Sequence, residues 1–323
     1  MILGIDTSCY TTSLAVADHN GVLLEDLRLL INVPMGKRGL AQSEIFYQHI
    51  NQAPLLFTEL FSHFNAAELT GIAVSVKPRP LAESYMPVFK AGENFAKTLA
   101  AVLRLPLYET SHQEGHLSAA LWSLGRAAEK IGGEFLALHL SGGTGEILRV
   151  KRERAAFAVD ICGSCDLAPG QYIDRVGVAL GLPFPTGPCM QDLAKEAQGG
   201  MYELPQAAKD GQLYFTGPQS ACDRLLSAGG INEAELALAV LENIGKSLKR
   251  AIAYHVEKTG LKQVVIVGGV AANEQIRGII GTKIGCSEVL FANRKYAGDN
   301  AVGVAMLFTD ESCKSANYIC VKK

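Results

Sequence analysis

His112 and His116 stand one helical turn apart within Ser111-His112-Gln113-Glu114-Gly115-His116, a spacing that puts both imidazoles on one helix face. Such a pair can hold a divalent cation if a third ligand arrives from elsewhere. The spacing equally suits two histidines on an interdomain surface. A zinc-peptidase motif needs glutamate directly after the first histidine; Gln113 occupies that place, which argues against peptidase chemistry. A second candidate is Ser141-Gly142-Gly143-Thr144-Gly145, set between the apolar runs of 135–150. Its glycines either let backbone amides approach an anion or simply make a hairpin turn. Gly268-Gly269, between a β-branched run and a helical one, offers a similar close approach. Asp299 heads an apolar helix and reads as its N-cap, and Asp6 as a cap of its own turn. There is no Walker A lysine and no GxGxxG.

The elements that must position these groups show an internal echo. Residues 2–17 and 135–150 are both apolar run, polar turn, apolar run, and each is followed by a further strand, 22–30 and 155–161. Helical patterns cover 42–64 with an interruption at Pro54, 88–103, and 111–128 capped by Ser111. Further helices are expected over 169–182 and 189–198, in a long stretch capped by Asn232, after Asn273, and from Gly298 to Leu307. A short β-branched run at 72–76 and the run 264–267 read as buried strands, and 105–108 and 289–292 as further strands. Two similar halves, each offering a hairpin loop to a ligand in the cleft, match the actin-like and sugar-kinase ATPase architecture. The fold class expected is therefore α/β, an actin-like/sugar-kinase ATPase fold of two similar ribonuclease-H-like domains with a ligand cleft between them. The first is expected over 1–108, completed by a C-terminal helix at about 299–323, and the second over 109–298.

Composition narrows the function classes. A chain of 323 residues with 48% hydrophobic and 19% charged residues reads as globular and of more than one core. Thirty basic against 32 acidic residues, a net charge of -2, lack the footprint of a stand-alone nucleic-acid binder, so RNA contact would need a local patch or a partner protein. No apolar run reaches membrane-spanning length and no signal sequence is evident, so no membrane and a cytoplasmic location are expected. The eight cysteines are scattered, which fits a reducing compartment; Cys162-Gly163-Ser164-Cys165 is either a redox or half-metal pair or two inert turn thiols.

In order along the chain come Asp6-Thr7-Ser8-Cys9, His112 to His116, Leu140-Ser141-Gly142-Gly143-Thr144, Gly268 to Asn273, and Gly298-Asp299-Asn300. This ordered set resembles the TsaD/Gcp-type tRNA threonylcarbamoyltransferases over roughly residues 1–308. The resemblance implies that His112, His116 and Asp299 bind iron or zinc. It also implies that His139, Leu140, Ser141, Gly142 and Gly143, with Asp6, Asp174, Gly187, Gly268, Gly269 and Asn273, hold ATP, AMP or threonylcarbamoyl-adenylate; magnesium is a further candidate ion. The implied reaction moves threonylcarbamoyl to the adenosine beside a tRNA anticodon, within a multi-subunit complex containing a TsaB-type paralogue and an ATPase subunit. This chain departs from the family pattern at Tyr10-Thr11, at Thr144, over Lys77-Pro78-Arg79-Pro80-Leu81-Ala82-Glu83, and over Thr216-Gly217-Pro218-Gln219-Ser220. Those departures leave two alternatives: carbamoyl transfer to another acceptor, and a non-catalytic nucleotide-binding subunit of the tRNA-modification complex.

Overall fold

In the computed structural model, which describes residues 1–309 and 318–319, the two strand–turn–strand segments seed two sheets of one design. The first half runs β1 (Ile2–Asp6), β2 (Thr11–Ala17), β3 (Leu23–Leu30), α1 (Gln42–His63), β4 (Gly71–Lys77), α2 (Phe89–Leu103) and β5 (Leu107–Ser111). Helix α3 (His112–Ser123) leads into β6 (Glu134–Leu140), β7 (Gly145–Glu153), β8 (Ala156–Ser164), α4 (Pro169–Ala179) and α5 (Gly187–Ala194). The chain continues through β9 (Ala208–Lys209), β10 (Gln212–Leu213), α6 (Thr216–Ala228), α7 (Glu233–Thr259), β11 (Gln263–Val267) and α8 (Glu274–Ile280). It ends with β12 (Lys283–Ile284), β13 (Ser287–Phe291), α9 (Arg294–Ala297), α10 (Val302–Met306) and β14 (Tyr318–Ile319).

The sheet orders are β14-β5-β4-β1-β2-β3 and β12-β13-β11-β6-β7-β8. In both, an antiparallel three-strand meander adds two parallel strands beside its first strand and an antiparallel strand at the far edge. The repeat read from the hairpins is thus a repeat of whole sheets.

Each sheet is buried on both faces. Leu56 and Leu60 of α1 and Ala96 and Ala100 of α2 cover one face of the first sheet, and Val302 and Ala305 of α10 cover the other. In the second half, Leu236, Val240, Ile244, Leu248 and Ile252 of α7 cover one face, and Leu117 and Ala120 of α3 the other. Helices α3 and α10 therefore lie between the sheets and pack on each other. Their approach is too close for side chains. A Cβ on Gly303 would sit 1.8 Å from the Gly115 carbonyl oxygen and 2.6 Å from the Ala119 nitrogen, and one on Gly4 of β1 2.6 Å from the Ala301 carbonyl oxygen.

Several boundaries differ from the pattern reading. Helix α1 runs through Pro54 without interruption: Ile50 and Pro54 both face solvent, where water can take the carbonyl that proline leaves unbonded. Strand β5 begins at Leu107 rather than Leu105, because Pro106 has no N–H for the ladder, although its carbonyl accepts from Ile72 N at 2.9 Å. Helix α3 stops at Ser123 rather than Ala128; Gly125, at φ 53°, opens a 3₁₀ stretch, Gly125–Lys130. The last helix is the short Val302–Met306, and β14 pairs with β5, so the expected helix over 299–323 is not continuous; most of its far end lies outside the described residues. Asn232 caps α7 as expected, accepting from Glu235 N at 3.2 Å.

The contact between Gly303 and Gly115 yields the first test. Gly303→Ala should destabilise the protein by about 2–3 kcal/mol through overpacking and weaken divalent-metal binding, because it wedges α3, which carries both histidines, away from α10 and the turn before it that carries Asp299. Chemical denaturation and a metal titration measure both; an unchanged midpoint would contradict the packing described.

Candidate functional site

The seam between α3 and α10 holds the site. Ser111 caps α3 through a capping box with Glu114, whose carboxylate accepts from Ser111 N at 3.0 Å, so the glutamate within the histidine motif serves the helix end. The capped first turn presents His112 and His116, whose ring centroids lie 4.4 Å apart. Asp299 comes from the turn before α10. It is not the N-cap the pattern suggested; Asn300 Oδ1 accepts from Val302 N at 2.9 Å, leaving the Asp299 carboxylate for the histidines. Asp299 Oδ1 lies 3.5 Å from His112 Nε2 and 3.3 Å from His116 Nε2.

These spacings fit a metal better than a hydrogen-bond network. His116 Nε2 is buried without a hydrogen-bond partner despite facing Asp299. One ligand atom from each of the three residues falls within 4.8 Å of the others. Two ligands at about 2.0–2.1 Å from a tetrahedral ion lie about 3.3–3.4 Å apart, close to the two spacings to Asp299. The donor set, two imidazole nitrogens and a carboxylate oxygen, suits a borderline divalent cation.

Asp6, expected among the nucleotide contacts, is placed behind His112. It is fully buried; Oδ1 accepts from Ser8 N at 2.8 Å, and Oδ2 accepts from Ser75 Oγ at 2.7 Å and meets His112 Nδ1 at 2.9 Å. That bond fixes the ring and turns His112 Nε2 toward Asp299, as a carboxylate behind a metal-binding histidine does. Burial opposes the imidazolium of His112, but Asp6 and Asp299 outweigh it and lift the pKa to about 10. Burial, with the charge on His112, holds His116 below its ordinary value, so the pair carries one proton. Burial also opposes charge on Asp299, yet both histidines hold its carboxyl well below the usual range.

The expected nucleotide contacts are found in different states. The turn Ser141–Thr144 is satisfied internally: Ser141 Oγ accepts from Gly143 N at 3.3 Å and Thr144 N at 3.0 Å. Its glycines are exposed and nothing crowds them, whereas a Cβ on Gly170 at the start of α4 would meet Gly142 Cα at 2.7 Å. The Leu140 side chain belongs to the core, so only its backbone faces the turn. Gly268, at φ 95°, packs on Leu140: a Cβ there would come within 2.1 Å of that carbonyl oxygen, a structural demand for glycine. Gly269 is exposed beside Gly298. Asn273 Oδ1 caps α8 by accepting from Ile276 N at 3.1 Å. Asp174 accepts from Thr186 N at 2.7 Å, next to Gly187 at the start of α5; burial raises its pKa against those bonds. His139 is buried beside the metal ligands, 4.9 Å from His116 between ring centroids, and burial keeps it neutral.

Pattern reading assigned no role to Arg79 or Glu146, which form an ion pair at 2.6 Å across the two halves. Glu146 also accepts from Gln113 Nε2 at 2.9 Å. Only the placement of an arginine in a proline-rich loop marked Arg79 in the sequence. Cys162 and Cys165 are half-buried free thiols, and burial pushes both up, Cys165 to about 11.

With this geometry in view, the family model described as TsaD, tRNA N6-adenosine threonylcarbamoyltransferase, matches residues 39–306. The chain belongs to this family. A Streptococcus suis tRNA N6-adenosine threonylcarbamoyltransferase is 30% identical over 328 residues, covering 96% of this chain and 92% of that protein. Among solved structures, the activator of 2-hydroxyisocaproyl-CoA dehydratase from Clostridium difficile, with bound ADPNP, aligns with a TM-score of 0.53 at 12% identity, covering 97% and 96% of the two chains. A ROK family glucokinase from Streptomyces griseus, in complex with glucose and AMPPNP, gives 0.53 at 11% identity, covering 95% and 98%. Those likenesses show the fold: the actin-like and sugar-kinase ATPase architecture. No helix among the described residues is long and apolar enough to cross a membrane.

The raised pKa of His112 has a measurable consequence. Its ordinary value is near 6.5 and its folded value about 10, so the stability it contributes is complete below pH 6.5 and is lost as pH rises toward 10. The buried, neutral His116 and His139 act only below their ordinary value, and thiols only near 9 and above. Chelator-treated protein should therefore lose stability between about pH 6.5 and 8.5, by at most about 1.4 kcal/mol per pH unit. Asp6→Asn should flatten that slope in denaturation series; equal slopes would show that Asp6 does not hold the proton.

Proposed function

We propose that this chain transfers a threonylcarbamoyl group from threonylcarbamoyl-adenylate to the adenosine beside a tRNA anticodon. The observation that carries the reading is the convergence of His112, His116 and Asp299 in a chain of this family. In the reaction the adenosine N6 forms a bond to the carbamoyl carbon and gives up one proton to solvent, the bond from that carbon to the phosphate oxygen breaks, and AMP departs with that electron pair.

His112 and His116, through Nε2, and Asp299, through a carboxylate oxygen, would hold iron or zinc, which when bound supplies Lewis acidity and a template for the acyl group. Asp6 keeps His112 oriented. The Ser141–Gly143 turn, the α5 start at Gly187 and the exposed Gly269 backbone would receive the adenylate, with Asp174 and Asn273 shaping its walls. The self-satisfied Ser141 turn must open its amides for a phosphate to bind there. We place the division of the halves, for the described residues, at 1–108 with 299–309, and 109–298.

A chain with net charge -2 needs help to hold tRNA, which supports action in a complex with a TsaB-type paralogue and an ATPase subunit, in the cytoplasm. Reconstitution with threonine, bicarbonate, ATP, the adenylate-forming enzyme, those partners and tRNA should yield threonylcarbamoyladenosine by nucleoside mass spectrometry. His116→Ala should lower the yield by about a hundredfold or more. Absence of the modified nucleoside in the complete wild-type mixture would overturn the proposal.

A further inference from the structure

A second polar cluster adjoins the metal ligands. Arg79 lies between Pro78 and Pro80, in a loop fastened at both ends: Gln113 N donates to the Pro78 carbonyl at 3.0 Å, and Arg79 N to Ser84 Oγ at 3.0 Å. Its guanidinium reaches across to Glu146 on β7, and Glu146 takes the Gln113 amide. Because a carboxylate only accepts, Gln113 must present its nitrogen to Glu146, which fixes the amide orientation. The same nitrogen lies 3.3 Å from His139 Nδ1, so the neutral ring carries its proton on Nε2.

Three buried atoms of this linked group have no partner: Arg79 Nε, Gln113 Oε1 and His139 Nε2. A purely structural network is normally satisfied, and each buried orphan costs about 1–3 kcal/mol. What remains is two N–H donors, one of them cationic, and one acceptor. The Arg79 side chain is also 38% exposed, which leaves it within reach of a ligand.

We propose that Arg79 is the carboxylate anchor of the acyl subsite, pairing with the amino-acid carboxylate of an N-carbamoyl amino acid donor. This rests on the function proposed above and adds to it the group that separates such a donor from a bare carbamoyl group. An N-carbamoyl amino acid presents a carboxylate and a carbonyl to donors and an N–H to an acceptor, the complement of the unpartnered set. Glu146 acts as a positioning residue, turning the guanidinium toward the seam. A plain carbamoyl group has no carboxylate and would leave Arg79 Nε without a partner.

The test uses the metal-loaded full chain and three probes: AMP, a sulfamoyl-linked analogue of threonylcarbamoyl-adenylate, and the same analogue lacking the carboxylate. Calorimetry should show Arg79→Gln weakening the carboxylate analogue by about tenfold to a hundredfold, as for loss of a charged hydrogen bond. Binding of AMP and of the decarboxylated analogue should change by less than about threefold. Arg79→Lys, keeping the charge, should recover part of the loss, and unchanged AMP binding guards against misfolding. Equal losses for both acyl analogues, or none for either, would overturn the anchor while leaving the proposed function standing. Wild-type protein that binds neither acyl analogue better than AMP would overturn the proposed function, and the anchor with it.

Discussion

The contact between the Gly115 carbonyl and Gly303 sets the distance on which the rest depends. Helix α3 belongs to the core of the second sheet and α10 to that of the first. Side chains at the crossing would hold typical helices about 8–10 Å apart; glycine removes the spacer and brings the ends that bear His112, His116 and Asp299 into ligand range. Gly4 repeats the device between β1 and the start of α10, which is why Asp6, two residues further along β1, arrives behind His112. A metal at this seam would bind ligands from both halves, coupling metal affinity to their relative placement.

Electrostatics at the seam follow from that packing. Four ionisable groups, Asp6, His112, His116 and Asp299, are enclosed together, and two carboxylates face two imidazoles. Without a cation the arrangement keeps a proton on His112, lifted to about 10 despite burial. A divalent cation held there would take the place of that proton and satisfy His116 Nε2, which no protein group reaches with hydrogen-bond geometry. Burying charge of one sign alone would be costly; two carboxylates make the site hospitable to a positive centre.

Local pattern made much of the fold legible. Alternating apolar runs around polar turns gave away both hairpins, and the duplicated order anticipated the two matching sheets. The i, i+4 histidines were visible because helical spacing is local. What stayed hidden was tertiary: Asp299 looked like a cap because Asn300, its neighbour, takes that work only once the turn is formed. The bond from Asp6 to His112 spans 106 residues and leaves no local trace. Gly303 sits in an ordinary apolar helix whose neighbour is invisible to periodicity. Arg79 read as a loop charge since its partner, Glu146, lies on a strand of the other half. The backbone of Leu140 also lies against Gly268, a close approach across more than a hundred residues that no local pattern shows.

X-ray absorption and elemental analysis of the purified, metal-reconstituted chain address the seam directly. The expected result is about one zinc or iron per chain, with a first shell of two imidazole nitrogens and oxygen, and loss of that shell in His116→Ala. A wild-type shell built on sulfur, or equal metal content and an unchanged spectrum in His116→Ala, would contradict it.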